Sequence, residues 1–243
     1  MTQNSDQNQK QNDLLRWGIE LVGAWSIEEV ERIHAVFRKL ADLGGNSSLK
    51  NLFNSQKTTF YHSNRTGKVG RTKGGEIYLD DNWSNWTLAH ELGHRWNNAW
   101  SRQPEENLRA TLGAGKFEWL KRQLRRFEKW LTRVLQKWGS KTRIDWKALW
   151  YNPGGGAPPC GVDRNFNSSE DLAESFAATI FPEDAKQRAS KASKRLADKF
   201  LNWDWGKRYE IFHMTPRGIT TLQMIRAHLS TDQSPDQPDH RAA

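Results

Sequence analysis

Ser84-Asn85-Trp86-Thr87-Leu88-Ala89-His90-Glu91-Leu92-Gly93-His94-Arg95-Trp96-Asn97-Asn98-Ala99-Trp100-Ser101 decides how this 243-residue chain is read. Asp80-Asp81-Asn82 supplies turn and cap residues ahead of it, and Pro104 stands just past its end. Leu88, Leu92, Trp96 and Ala99 recur at helical spacing, which predicts a helix over about 84–101 with that face buried. Residues four apart share one face of a helix, so His90 and His94 can turn two imidazoles on a single metal ion. Glu91 lies about 100° further round. It stands beside such an ion rather than on it, where it can take a proton from metal-bound water. Zinc lowers the pKa of that water to roughly 7, giving a hydroxide-like nucleophile at neutral pH. Ala89 and Gly93 leave room for close packing around the pair. With only seven histidines in the chain, composition alone seldom produces this pattern.

A hydrolytic zinc takes a third protein ligand and keeps one position open. Ser169-Glu170-Asp171-Leu172-Ala173-Glu174-Ser175-Phe176-Ala177 offers it from a second helix, expected over about 168–181 and stopped by Pro182. Leu172, Phe176 and Ile180 form the buried stripe of that helix, and Glu170 and Glu174 share an adjacent face. Two carboxylates one turn apart offer one for the metal and one to hydrogen-bond a ligand histidine. Acidic residues near a helix start also answer the helix dipole with no metal involved.

The His90-Glu91-Leu92-Gly93-His94 motif, followed by Glu170, Ala173, Phe176 and Ala177 in an E-x-x-A-x-x-F-A pattern, resembles the gluzincin branch of the zincin metallopeptidases. The second helix is similar to the glutamate helix of bacterial regulatory peptidases of the ImmA/IrrE kind and of anthrax lethal-factor-type toxins. The resemblance spans roughly residues 58–182, and only the two short motifs are specific. It implies an α+β, zincin-like fold, rich in helix, with a small sheet next to the HExxH helix. It implies one zinc per chain on His90, His94 and Glu170, with Glu91 as general base and acid and Glu174 supporting a ligand histidine. The implied activity is hydrolysis of peptide bonds in a protein substrate by Glu91-assisted attack of zinc-bound water. A metzincin would continue HExxHxxGxxH, but Asn97 and Trp100 hold those extra Gly and His positions, which excludes that branch.

Around these motifs the chain reads as follows. Residues 1–12 form a Gln/Asn-rich polar lead, expected to be disordered. Ser26 and Glu29 make a capping box for a helix carrying Val30, Ile33, Phe37 and Leu40, ended by Gly44-Gly45. Thr58–His62 has strand composition, a Gly-rich connection runs from Gly67 to Gly75, and Glu76–Leu79 is a second strand. In zincins a strand just before the motif helix rims the cleft and binds extended peptide by strand addition, so Glu76–Leu79 is expected in that role. Helical patterning resumes at about 183–200 and 218–229, and residues 233–243 form a tail. A single metallopeptidase domain over 13–232 is therefore expected, with a basic helical insertion at about 105–147.

The stabiliser of the developing oxyanion is open among Tyr151, Arg164, Tyr209 and His213, with Tyr151 and His213 preferred. Tyr151 lies in the Gly/Pro loop before the glutamate helix, and lethal-factor-type enzymes draw a tyrosine from that region. His213 resembles the downstream histidine of thermolysin-like gluzincins. Cys160, between proposed ligands, is expected to be a buried or incidental thiol rather than a zinc cap.

The net charge is +9, and +8 of it sits between Lys116 and Lys147, where eleven Lys/Arg face Glu118, Glu128 and Asp145. Phe117, Leu120, Leu124, Phe127, Leu131, Val134 and Trp138 give that segment an apolar stripe of heptad rhythm. Packing of the stripe against the rest of the chain is the first expectation. Contact of the basic face with an acidic protein or nucleic acid comes next, and with a membrane surface last. The alternative function is thus a basic nucleic-acid-binding or interaction module whose zinc site is structural or vestigial. No run of eighteen apolar residues and no signal-peptide pattern is visible, so the cytoplasm is the expected compartment. The oligomeric state is not legible.

Overall fold

Ser26 and Glu29 close the capping box expected of them. The Ser26 amide donates to Glu29 Oε2 at 2.9 Å, and the Glu29 amide donates to Ser26 Oγ at 3.2 Å. They open one of the helices of a computed structural model that describes residues 2–44, 49–62, 70–111, 130, 168–185, 212–214 and 216–230. Contacts divide the chain into two compact units, Met1–Pro104 with Thr221–Ala243, and Glu105–Thr220.

The first unit mixes helix and sheet. Its elements are α1 (Thr2–Arg16), β1 (Ile19–Val22), α2 (Ile27–Gly44), α3 (Leu49–Leu52), β2 (Thr58–His62), β3 (Gly70–Lys73), β4 (Glu76–Leu79) and α4 (Asn85–Ala99). The sheet order is β1-β2-β4-β3, with β1, β2 and β4 parallel and β3 antiparallel to β4. Phe60 pairs in register with Ile77 on the buried face, where Phe37 of α2 meets Phe60 edge-on at 6.1 Å. Tyr61 and Tyr78, the next register pair, stack at 5.0 Å on the other face.

Two elements differ from the sequence expectation. The polar lead is helical from Thr2, because α1 docks on α2: Leu14 is buried, Lys10 pairs with Glu31 at 2.8 Å, and Asp13 meets His34 at 3.3 Å. The Gly-rich connection contains the strand β3, which turns back on β4 through Gly74, held at φ +61° where a side chain would be strained. Consequently β4 is an inner strand paired on both sides, and β3 is the edge. This corrects the assignment of Glu76–Leu79 as the rim strand.

The remaining helices among the described residues are α5 (Gln103–Thr111), α6 (Ser168–Ile180) and α7 (Pro216–Ser230), with a short 3-10 turn at Phe212–Met214. In the second unit α6 buries Leu172, Phe176 and Ile180, as its pattern predicts. The Ser168 hydroxyl donates to the Glu105 carboxylate at the start of α6. The basic segment at 116–147 lies outside the described residues apart from Trp130, which is exposed. Tyr151, Cys160, Arg164, Tyr209 and the tail also lie outside them. No helix among the described residues is long and apolar enough to cross a membrane.

The C-terminal end of α7 docks within the first unit. Leu229 comes so near Gly44 that a Cβ there would lie 2.5 Å from it. His228 stacks on Trp100 at 4.0 Å, and its Nδ1 accepts from Trp96 Nε1 at 2.7 Å. Burial pushes the His228 imidazole down to about 4. The neutral form is therefore favoured by folding, and its contribution is complete above the unfolded value of about 6.5. As pH falls from about 6.5 to 4 the unfolded chain takes up the proton first, and the contribution is lost. The side chain is half-exposed, so solvent screening reduces the loss to about 1–2 kcal/mol. Urea melts at pH 7.5 and 4.5 should show this loss in the wild type, and a smaller one in His228→Gln, which keeps an acceptor for Trp96. An equal loss in both would place the titration elsewhere.

Candidate metal centre

α4 is built to present one polar row from a buried helix. Ser84 caps it, accepting from the Thr87 amide at 3.1 Å. Leu88, Leu92, Trp96 and Ala99 are buried as expected, and Trp86, Ala89 and Gly93 join them. Arg95 pins the helix to the start of β2: Nε donates to Thr58 Oγ1 at 3.1 Å, and Nη2 donates to Gln56 Oε1 at 3.3 Å and the Lys57 carbonyl at 3.2 Å. Burial pushes this guanidinium down from its usual value.

His90 and His94 are half-buried on that row. Their Nε2 atoms lie 3.1 Å apart, and the rings meet edge-on at 84°. Nitrogens facing each other at this distance either share a proton or turn their lone pairs on one cation. Two imidazoles about 2.0–2.1 Å from a tetrahedral zinc would have nitrogens about 3.3–3.4 Å apart. The observed spacing fits that donor set.

Glu91 is 6% exposed, and β3 covers it. The Thr72 hydroxyl lies 2.5 Å from Glu91 Oε2 and 3.0 Å from the Glu91 carbonyl, with one proton to donate between them. Gly70 permits this approach. A Cβ at that position would meet Thr87 Cγ2 at 2.8 Å and Glu91 Cγ at 3.0 Å, so any side chain would press on the carboxylate. Neither Gly70 nor Thr72 was expected at the site. The readable signal was Gly74-Gly75, a pair that favours a tight hairpin turn and would have revealed β3.

On α6, Glu170 and Glu174 are half-buried one turn apart, while the residues between them, Asp171, Leu172 and Ala173, are buried. Asp171 is committed to an ion pair with Arg217 at the start of α7. Burial lowers the Arg217 guanidinium to about 9, still a cation at neutral pH. His90 and His94 belong to the first unit and Glu170 to the second, where it stands near the start of α6. His213 is exposed on its 3-10 turn.

No protein-family model, curated protein or solved structure matches the chain. The likeness to gluzincins accordingly rests on the two sequence motifs alone.

Proposed function

We propose that the chain is a zinc-dependent metallopeptidase of zincin type, with His90, His94 and Glu170 as ligands and Glu91 as general base and acid. The observation that carries this reading is the pair of Nε2 atoms 3.1 Å apart, flanking a buried glutamate whose carboxylate is met by Thr72. Glu170, half-buried near the start of α6 within the E-x-x-A-x-x-F-A motif, is the proposed third ligand. Two histidines and a glutamate form a donor set of hydrolytic zinc sites.

When bound, the metal supplies Lewis acidity, polarising the scissile carbonyl and acidifying the attacking water. The chain moves the proton. Glu91 takes it from the water as the new C–O bond forms, then delivers it to the amide nitrogen as the C–N bond breaks. The Thr72 hydroxyl holds one oxygen of that carboxylate and leaves the other for the transfer. β3, as the edge strand, offers main-chain groups along which an extended peptide substrate can be laid. Glu174, one turn beyond Glu170, is suited to orient a ligand histidine.

Metal analysis combined with a peptide library tests the reading. The purified chain should carry one zinc and cleave a subset of peptides. Chelation should stop cleavage, and one equivalent of zinc should restore it. Cleavage that survives complete removal of metal, or a chain that takes up no zinc, would sink the proposal.

A further inference from the structure

We propose that the buried Asp171–Arg217 ion pair sets the rotation of α6 about its axis and so aims Glu170 as a metal ligand, making Arg217 a positioning residue of the centre. The inference rests on the metal reading above and extends it to two residues that touch no metal.

The pair is an expensive way to join two helices. Asp171 is 4% exposed and Arg217 1%, so both charges have left water. Arg217 is also the second residue of α7, where the helix dipole opposes a cation. Well-packed apolar residues in place of a buried pair are often as stable or more so, so cohesion alone is a poor account of it. Direction is what the pair adds. Arg217 Nη1 donates to Asp171 Oδ1, and the planar guanidinium holds that donor in a fixed direction. Aspartate has a single methylene between carboxylate and backbone, so fixing the carboxylate fixes the azimuth of the helix at that residue. The Ser175 hydroxyl, donating to the Asp171 carbonyl at 2.7 Å, ties the same turn from the backbone side.

Glu170 is the preceding residue, about 100° round the helix from Asp171. The apolar stripe of Leu172, Phe176 and Ile180 resists rotation only weakly, because such side chains repack. A carboxylate about 5–6 Å from the helix axis moves by about 1.5 Å for a 15° rotation. Metal–ligand distances tolerate only about 0.2 Å. An anchor on the neighbouring residue therefore decides whether Glu170 meets the metal.

The test compares Asp171→Leu/Arg217→Met, which replaces the pair by apolar groups of similar volume, with Arg217→Lys, which keeps the charge but not the planar guanidinium. Zinc affinity is read by competition with a chromophoric chelator, and the melting temperature is read on the zinc-free protein. In the double variant, the zinc-free melting temperature should stay within a few degrees of wild type while zinc affinity falls ten- to a hundredfold. Arg217→Lys should fold and lose affinity severalfold. A folded double variant with wild-type affinity overturns the inference. If the double variant fails to fold, Arg217→Lys with undiminished affinity overturns it instead. A wild-type chain that takes up no zinc overturns the metal reading and this inference together, whereas zinc-binding wild type with unaltered variants overturns the inference alone.

Discussion

Glu91→Gln should retain one zinc per chain and lose peptide hydrolysis by about a thousandfold. Glutamine has the shape of glutamate and still offers an oxygen to the Thr72 hydroxyl, so the buried packing between β3 and α4 survives. What it lacks is a site to receive a proton. A positioned general base contributes about 10²–10⁴ in rate, which corresponds to about 3–5 kcal/mol of barrier. Zinc content should not change, because Glu91 is not one of the proposed ligands. Single-turnover cleavage of a library-derived peptide, measured with the metal content of the same sample, separates the two effects. Equal cleavage by both proteins would remove Glu91 from the mechanism. Loss of zinc from the variant would make it a ligand instead.

The second large effect is expected at Glu170. Glu170→Ala should weaken zinc binding by more than the ten- to hundredfold that loss of an outer hydrogen-bond partner costs, because it removes one of three protein donors. Asp171→Ala is the contrasting case. Its carboxylate is held by Arg217, so its loss disturbs the aim of Glu170 and leaves the donor itself in place. The expected order is therefore a greater loss of affinity at 170 than at 171. Isothermal titration of each metal-free variant with zinc gives the order directly, and the reverse order would reassign the third position to Asp171.

These expectations draw on features of unequal legibility. The facing of His90 and His94 follows from helical spacing and is realised locally at 3.1 Å. The capping box at Ser26 and Glu29 and the buried stripe of α6 are legible for the same reason, because caps and helical periodicity are settled within a few residues, whereas the cap of α4 is Ser84 and not one of Asp80, Asp81 and Asn82. The polar lead was misleading for the opposite reason. Its composition gives no local drive to fold, and its helix is held by Leu14, Lys10 and Asp13 meeting α2, a contact no local window contains.

The strand beside the motif shows the same division. Glu76–Leu79 reads as a strand and is one, but its place in the sheet depends on whether a neighbour pairs with its far side. Gly70–Lys73 does so and becomes the edge, bringing Thr72 onto Glu91. Likewise, adjacent carboxylates at 170 and 171 look equivalent in the chain. An arginine 46 positions beyond Asp171 takes that carboxylate into the interior, while Glu170 stays half-buried. By itself, the sequence determined which residues are the candidates for the chemistry and which helices carry them, since periodicity and capping act over one or two turns. Only the tertiary structure decided which strand lies against the glutamate and which acidic side chain is withdrawn, since strand pairing and buried ion pairs join residues far apart in the chain.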